Sequence, residues 1–272
     1  CIQMIKEYSD EIIDALQKDF GNRDPKSSFL TEIASTIGVL EHAIKNVDKW
    51  TKDEKRPSNV DRPFFIRMLM SFLGSKSYIK YQPLGTVGVI SPWNFPVNLI
   101  LAPLGGIFAA GNRAMIKPSE LTPATSDVTK KMFEAYFDKS EAAVFTGDAE
   151  VGAAFSALPF DHLLFTGGTQ IGKKVMKAAS DNLVPVTLEL GGKSPVIVDE
   201  NADLSEVAKK VMRGKTMNAG QICLAPDYLM LPKGKSEEFA NASNAAVSEM
   251  FADLKYNDDY TSVINEKHYE RI

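Results

Sequence analysis

The sequence of 272 residues contains little cysteine and little histidine. Its two cysteines, Cys1 and Cys223, are too few for a disulfide framework, which is typical of a reducing compartment, so we expect a cytoplasmic protein. None of the three histidines, His42, His162 and His268, belongs to a metal-binding or cysteine-containing motif. This argues against a zinc site. It also disfavours a hydrolase built on a Cys–His pair, although the base of such a pair need not be close in sequence.

The sequence also lacks a long hydrophobic run and an excess of positive charge. Its longest apolar run, residues 98–111, contains Pro103 and three glycines and is too short to cross a bilayer. The formal net charge is −4, which gives no reason to expect binding to nucleic acid. We therefore expect neither a membrane segment nor a nucleic-acid partner.

Short apolar segments alternate with helical segments from residue 85 onward. They predict strands at 85–91, 114–117, 142–145, 162–165, 186–190 and 195–198, with helices at 97–110, 123–137, 149–156 and 170–180. This alternation is typical of βαβ units, so we expect an α/β fold with a Rossmann-like open parallel sheet. Amphipathic helices at 2–20 and 33–47 and an exposed hairpin strand at 77–83 precede it. A second α/β segment begins near Asp203.

Polar residues follow the first two strands of the predicted sheet, at the edge where open α/β folds bind ligands. In SPWNFP (91–96), two prolines hold the backbone around Asn94. The amide of Asn94 either donates to an oxyanion or caps a proline-rich turn. In KPSE (117–120), either Lys117 and Glu120 bind ribose hydroxyls or Ser119 caps the following helix.

Glycine-rich segments follow the later strands. In TGGTQIGKKV (166–175), Gly167 and Gly168 come directly before a helix, and a helix N-terminus is a natural anion site. The glycine spacing fits neither the dinucleotide fingerprint nor a P-loop. In LELGGKSP (188–195), Glu189 lies within an apolar strand, where a carboxylate is either paired structurally or acts as a base.

Cys223, in NAGQICLAP (218–226), has two interpretations. It is either a small buried residue or a nucleophile. If it is a nucleophile, Glu189 is the best base that the sequence offers.

Five of these motifs together resemble the aldehyde dehydrogenase superfamily. They are PWNFP, KPSE, FTGGTQIG, LELGGKSP and NAGQIC, and the resemblance extends from Tyr8 to the end of the chain. Each motif is modest alone, but five in this order and spacing are specific. The segments GNRAMIKPSE and MNAGQICLAPDY are most similar to the coniferyl aldehyde dehydrogenase branch.

The resemblance implies oxidation of an aldehyde to a carboxylic acid with NAD, or NADP. From the histidines, we expect no metal. A candidate substrate is an aromatic aldehyde such as coniferyl aldehyde. Cys223 would attack the aldehyde, Asn94 and the backbone N–H of Cys223 would hold the oxyanion, and Glu189 would activate the water that hydrolyses the thioester. The implied cofactor-binding residues are Trp93, Lys117, Ser119, Glu120, Gly167, Gly168, Gly172 and Leu190. Glu120 favours NAD over NADP, and Gly168 stands where the family usually has serine.

The resemblance also implies a domain division. Residues 1–191 would form the NAD(P)-binding domain, with 75–83 as an oligomerisation hairpin, and 192–272 would form the N-terminal part of a catalytic domain. Family members continue well beyond this length, so we expect an incomplete chain whose full-length form is a homodimer or homotetramer. The alternatives are a Cys-dependent acyl hydrolase and a truncated, non-catalytic nucleotide-binding protein.

Overall fold

The computed structural model describes residues 1–57 and 61–272 and begins with a group of helices. These are α1 (Ile2–Glu7), α2 (Ser9–Phe20), α3 (Pro25–Ser28) and α4 (Ser35–Trp50). The stripe that predicts one helix over 2–20 is divided between α1 and α2, because Tyr8 leaves helical geometry with φ −98° and ψ 11°. A π-helical segment, Phe29–Ala34, joins α3 to α4 and buries Glu32.

A small antiparallel sheet follows the N-terminal helices. It pairs β1 (Glu54–Arg56) with β2 (Ser77–Ile79), and α5 (Phe64–Phe72) lies between the two strands in sequence. The strand predicted over 77–83 pairs only as far as Ile79, because β1 is three residues long. The apolar helix α5, which the sequence patterns do not predict, contains no buried residue.

Five parallel strands form the central sheet, in the order β5-β4-β3-β6-β7. They are β3 (Thr86–Ile90), β4 (Arg113–Lys117), β5 (Ala142–Val144), β6 (His162–Thr166) and β7 (Val186–Glu189). The connecting helices are α6 (Asn98–Ala109), α7 (Pro123–Tyr136), α8 (Ala149–Ser156) and α9 (Thr169–Ser180). The expected α/β fold with an open parallel sheet is confirmed, within two residues at nearly every boundary.

The two faces of the sheet have separate hydrophobic cores. On one face, Val87 and Val89 of β3 pack with α2, α4, α6 and α7. On the other face, Leu163 and Phe165 of β6 pack with α8 and α9. Successive side chains of a strand point to opposite faces, which explains why central strands with helices on both sides are almost continuously apolar.

A second α/β unit follows the central sheet. In it, β8 (Ser194–Ile197) pairs in parallel with β9 (Pro226–Met230), and α10 (Leu204–Thr216) and α11 (Ser236–Met250) pack against them. The last helix is α12 (Glu266–Arg271). Within the described residues, no helix is both long enough and apolar enough to cross a membrane.

Candidate active site

A cavity of about 680 Å³ opens at the carboxyl end of the central sheet. β3 and β6 are neighbours there, but the crossover after β3 leads to β4 on one side and the crossover after β6 leads to β7 on the other. Such a reversal of strand order leaves a crevice between the diverging connections. The wall of the cavity is formed by residues 92–94, 166–168, 190–193, 219–223 and 268, among others.

Asn94 lies in this wall, and its side chain is held in one orientation. Its Nδ2 donates to the carbonyl oxygen of Gln221 at 2.9 Å, and its Oδ1 accepts from the backbone N–H of Phe95 at 3.1 Å. An amide nitrogen carries two hydrogens, so one of them remains for a ligand in the cavity. The loop thus presents a fixed hydrogen-bond donor, as an oxyanion site requires.

Cys223 lies in the same wall, on a tight turn that follows α10. Three consecutive residues of the turn have positive φ: Asn218 at 49°, Ala219 at 53° and Gly220 at 73°. Gln221 fixes the turn through its side chain, which donates to the carbonyl oxygens of Asn218 and Ser262 at 2.9 and 3.0 Å. Cys223 is a half-buried free thiol that belongs to none of the hydrophobic cores, so its position fits the interpretation as a nucleophile better than that as a packing residue.

The connection between β7 and β8 passes very close to this turn. A β-carbon on Gly192 would lie 2.5 Å from the carbonyl oxygen of Cys223, whereas one on Gly191 would meet nothing within 4 Å. A side chain at position 192 is therefore incompatible with the observed approach of the two segments.

Gly167 and Gly168 connect β6 to α9 and also line the cavity. No side chain caps the N-terminus of α9, and a β-carbon on Gly168 would meet nothing within 4 Å. The first N–H groups of α9 are thus available to an anion, and the helix dipole favours one. Gly172 lies inside α9 and does not line the cavity; a β-carbon there would lie 2.8 Å from the side chain of Leu190, which does line it.

Lys117 ends β4, the neighbour of β3 in the sheet, and Ser119 and Glu120 follow it. All three residues lie outside the wall of the cavity. The buried Nζ of Lys117 contacts Oε2 of Glu120 at 2.7 Å. Burial alone would raise the pKa of Glu120, but its hydrogen bonds and the charge of Lys117 bring the net pKa below its usual value. Ser119 does not cap α7: its Oγ accepts from Leu121, whereas Asp19 accepts from the first N–H groups of that helix.

Glu189 ends β7, and its side chain is exposed. Its carboxylate has no hydrogen bond or ion pair with any residue in 1–57 or 61–272, so the structural pairing that the sequence left open is absent there. The cause is the sheet order: β7 is an edge strand, with Val186 and Leu188 partly buried and the alternate residues exposed. The neighbouring Leu190 and Gly191 line the cavity, although Glu189 does not.

His268 is a cavity residue that the sequence patterns do not identify. Its ring contacts Trp93 edge to face, with 4.9 Å between centroids, and its Nδ1 lies 2.8 Å from Oδ1 of Asn265. Burial and the nearby charges of Arg271 and Lys267 lower the pKa of His268. The sequence feature that could have identified it is Asn265, a typical helix-capping residue, which caps α12 and places His268 in the first turn of that helix.

Positive charge predominates in the cavity wall. Lys193, Lys215 and Arg271 line it, and the one acidic side chain that lines it among the described residues, Asp227, pairs with Lys193 at 2.7 Å. Together with the uncapped N-terminus of α9, this charge suits an anionic ligand.

The chain is similar to known aldehyde dehydrogenases in sequence and in structure. The chain is 53% identical over its whole length to the "Probable coniferyl aldehyde dehydrogenase" of Caulobacter vibrioides, covering 55% of that protein. It superposes with a TM-score of 0.90 on the substrate-bound state of Staphylococcus aureus AldH, at 40% identity, covering 99% of this chain and 57% of that one. It also matches a Mycobacterium tuberculosis aldehyde dehydrogenase complexed with NAD+, with a TM-score of 0.82 at 26% identity, covering 98% of this chain and 53% of that one.

The sequence and structure comparisons cover similar shares of the related proteins. The chain spans about half the length of the relatives it matches. The model of the aldehyde dehydrogenase family matches residues 1–272, from the first residue of the chain to the last. The chain therefore belongs to the aldehyde dehydrogenase family.

Proposed function

We propose that this chain carries the nucleophile and the cofactor site of an NAD-dependent enzyme that oxidises an aldehyde to a carboxylic acid. The observation that carries the proposal is the meeting of Cys223, Asn94 and the N-terminal end of α9 around one cavity. The name of the Caulobacter vibrioides relative supports an aromatic aldehyde, such as coniferyl aldehyde, as the substrate.

The covalent chemistry belongs to Cys223. Its thiolate attacks the aldehyde carbon, and the oxygen becomes an alkoxide in a thiohemiacetal. The free N–H of Asn94 Nδ2 and the backbone N–H of Cys223 stabilise this charge. Loss of hydride from the same carbon leaves a thioester, and attack by water releases the acid and restores the thiol. NAD, when bound, supplies the acceptor of that hydride.

The residues around the cavity fit a dinucleotide. The uncapped N-terminus of α9, beside Gly167 and Gly168, is suited to the pyrophosphate. We assign the adenosine ribose to Lys117 and Glu120, with Ser119 shaping their loop; the carboxylate of Glu120 favours a free 2′-hydroxyl and hence NAD over NADP. Trp93 and Leu190 contribute apolar wall, and Gly172 lets α9 approach Leu190.

Glu189 is our candidate for the base that activates water. Its carboxylate is unpaired among the described residues, and the next residue, Leu190, lines the same cavity as Cys223.

The proposed domain division follows the two sheets. We assign residues 1–191 to the NAD(P)-binding domain and 192–272 to the N-terminal part of the catalytic domain, because the central sheet ends at Glu189 and the next begins at Ser194. The exposed segment 75–83, with β2, is our candidate for an oligomerisation hairpin of a homodimer or homotetramer.

The test is NADH formation by the full-length protein with an aromatic aldehyde. Cys223→Ala should give no NADH above background, and Cys1→Ala, the matched change at the other cysteine, should retain wild-type turnover. Glu189→Gln should give a burst near one NADH per site and then a steady rate lowered about 10²–10⁴-fold, the range for loss of a general base.

Two outcomes would contradict the proposal. An active Cys223→Ala variant would exclude this cysteine as the nucleophile. Absence of NADH with either NAD or NADP, together with Cys223-dependent hydrolysis of a thioester, would favour an acyl hydrolase instead.

A further inference from the structure

Arg23 and Glu32 form a buried ion pair close to the cavity but outside its wall. Nη2 of Arg23 lies 2.9 Å from Oε1 of Glu32, and the side chains are 1% and 0% exposed. Removing two charges from water is costly, and a buried ion pair is weak evidence for stability by itself. The role of this ion pair therefore depends on the other groups that the two side chains bind.

Both side chains bind the loop that carries Asn94. Nη1 of Arg23 donates to the carbonyl oxygen of Asn94 at 3.1 Å. Oε2 of Glu32 accepts from the backbone N–H groups of Val97 and Asn98 at 3.1 and 2.8 Å. The ion pair thus holds this loop at both ends, from Asn94 to the start of α6.

Aromatic rings fix the guanidinium in place. It lies 4.5 Å from the ring centroid of Phe20 and 5.3 Å from that of Phe95, the residue after Asn94. A planar guanidinium can satisfy Glu32, Asn94 and both rings together, whereas the ammonium of lysine is a point charge without that planar fork.

The same carbonyl oxygen connects the ion pair to the nucleophile turn. Nδ2 of Asn218 also donates to the carbonyl oxygen of Asn94, at 3.2 Å. The side chain of Asn94 in turn donates to the carbonyl oxygen of Gln221, two residues before Cys223. One network of hydrogen bonds therefore extends from Glu32 through Arg23 and Asn94 to the turn of Cys223.

We propose that Arg23 and Glu32 are positioning residues that aim the amide of Asn94 at the substrate oxygen beside Cys223. This inference rests on the proposed function. Neither side chain lines the cavity, so Arg23 acts through the backbone of Asn94, and Glu32 acts through Arg23 and the backbone of Val97 and Asn98. A displacement of about 1 Å in a catalytic group costs on the order of 10²-fold in rate, so a loosened loop should be visible in kcat.

The test compares Arg23→Lys with Asp19→Asn in the full-length protein. Arg23→Lys keeps a positive charge beside Glu32 but loses the fork that reaches Asn94. Asp19 binds the first N–H groups of α7 and has no hydrogen bond with residues 94–98, so Asp19→Asn controls for a general loss of stability. We expect Arg23→Lys to lower kcat by about 10- to 100-fold while KM for NAD changes by less than about threefold. Asp19→Asn should leave kcat within about twofold of wild type.

A double-mutant cycle separates positioning from a merely structural role. In an Asn94→Ala background the amide is gone, so Arg23→Lys should lower kcat by no more than about twofold further. If Arg23→Lys does not fold, Arg23→Met/Glu32→Leu removes both charges together and replaces the Lys variant in the cycle, since apolar replacement of a buried pair is often tolerated.

The outcomes are distinguishable. A wild-type protein without aldehyde-dependent NADH formation overturns the proposed function and this inference with it. An active wild type with unchanged kcat in the folded Arg23 variant, or with the same loss in both backgrounds, overturns this inference alone.

Discussion

At the scale of single residues, Ala219 has a backbone conformation that suits glycine. Its φ of 53° and ψ of 32° place its backbone in the left-handed region, and the neighbouring Asn218 and Gly220 also have positive φ. Among non-glycine residues asparagine tolerates this region best, whereas alanine is strained there. The strain lies in the turn before Cys223, where pre-organised backbone is useful.

We predict that Ala219→Gly raises the free energy of unfolding by about 0.5–1 kcal/mol, since relief of left-handed strain exceeds the extra entropy of glycine in the unfolded chain. Urea denaturation measures this. Ala153→Gly is the matched control, because Ala153 is exposed within α8 and the same change there should lower the free energy of unfolding by about 1 kcal/mol. A loss of stability at both positions would contradict the strain at Ala219.

His268 gives a prediction about pH. Burial, Arg271 and Lys267 lower its pKa in the folded protein, so the unfolded chain takes up the proton at a higher pH than the folded chain. The folded protein therefore favours the neutral ring of His268, and the resulting contribution to the free energy of unfolding is complete above pH 6.5. It decreases as the pH falls from 6.5 towards the lower folded pKa. Denaturation of wild type and His268→Gln between pH 7.5 and 5.0 measures the difference, and an NMR midpoint for His268 at or above 6.5 would contradict it.

At the scale of elements, local sequence predicts the strands and helices between residues 85 and 198. Their periodicity and the glycines and prolines at their ends are local properties, so they can be recognised without the fold. The exposure of Glu189 could not be predicted this way, because it depends on β7 being an edge strand. The contact of His268 with Trp93 was also inaccessible, because it joins residues far apart in the chain. Helix α5 was missed because its nine residues are fewer than the window of roughly 11–18 residues over which helical periodicity is recognised.

The connection between β7 and β8 gives a prediction at this scale. Gly192→Ala should lower the free energy of unfolding by about 1–3 kcal/mol, the usual cost of overpacking, because its β-carbon would overlap the carbonyl oxygen of Cys223. Gly191→Ala is the matched control and should change the free energy of unfolding by less than about 0.5 kcal/mol, since that β-carbon meets no neighbour. Thermal or urea unfolding tests the pair, and equal effects at the two glycines would refute the close approach.

At the scale of the whole molecule, helix α5 exposes much of its apolar surface. Phe64, Phe65, Leu69 and Phe72 of this helix are all more than half exposed. Contiguous apolar surface of this kind promotes association in water.

We predict that residues 1–272, produced alone, self-associate through α5. Phe65→Glu/Phe72→Glu should shift the chain towards monomer in size-exclusion chromatography with light scattering, because it places charge within the apolar surface. Met176→Glu, at an exposed position of α9, is the matched control and should leave association unchanged. Equal association of all three proteins would show that another surface is responsible.

The order of strands in the central sheet also has a consequence for synthesis on the ribosome. The first strand made, β3, becomes the middle of the sheet; β4 and then β5 add on one side, and β6 and then β7 add on the other. Every strand therefore finds an open edge to pair with when it leaves the exit tunnel, and none has to insert between two that are already paired. Because chains emerge at roughly 5–20 residues per second, this order lets the sheet grow outward while translation continues, and it leaves the edge of β6 unpaired only for the few seconds that β7 needs to emerge.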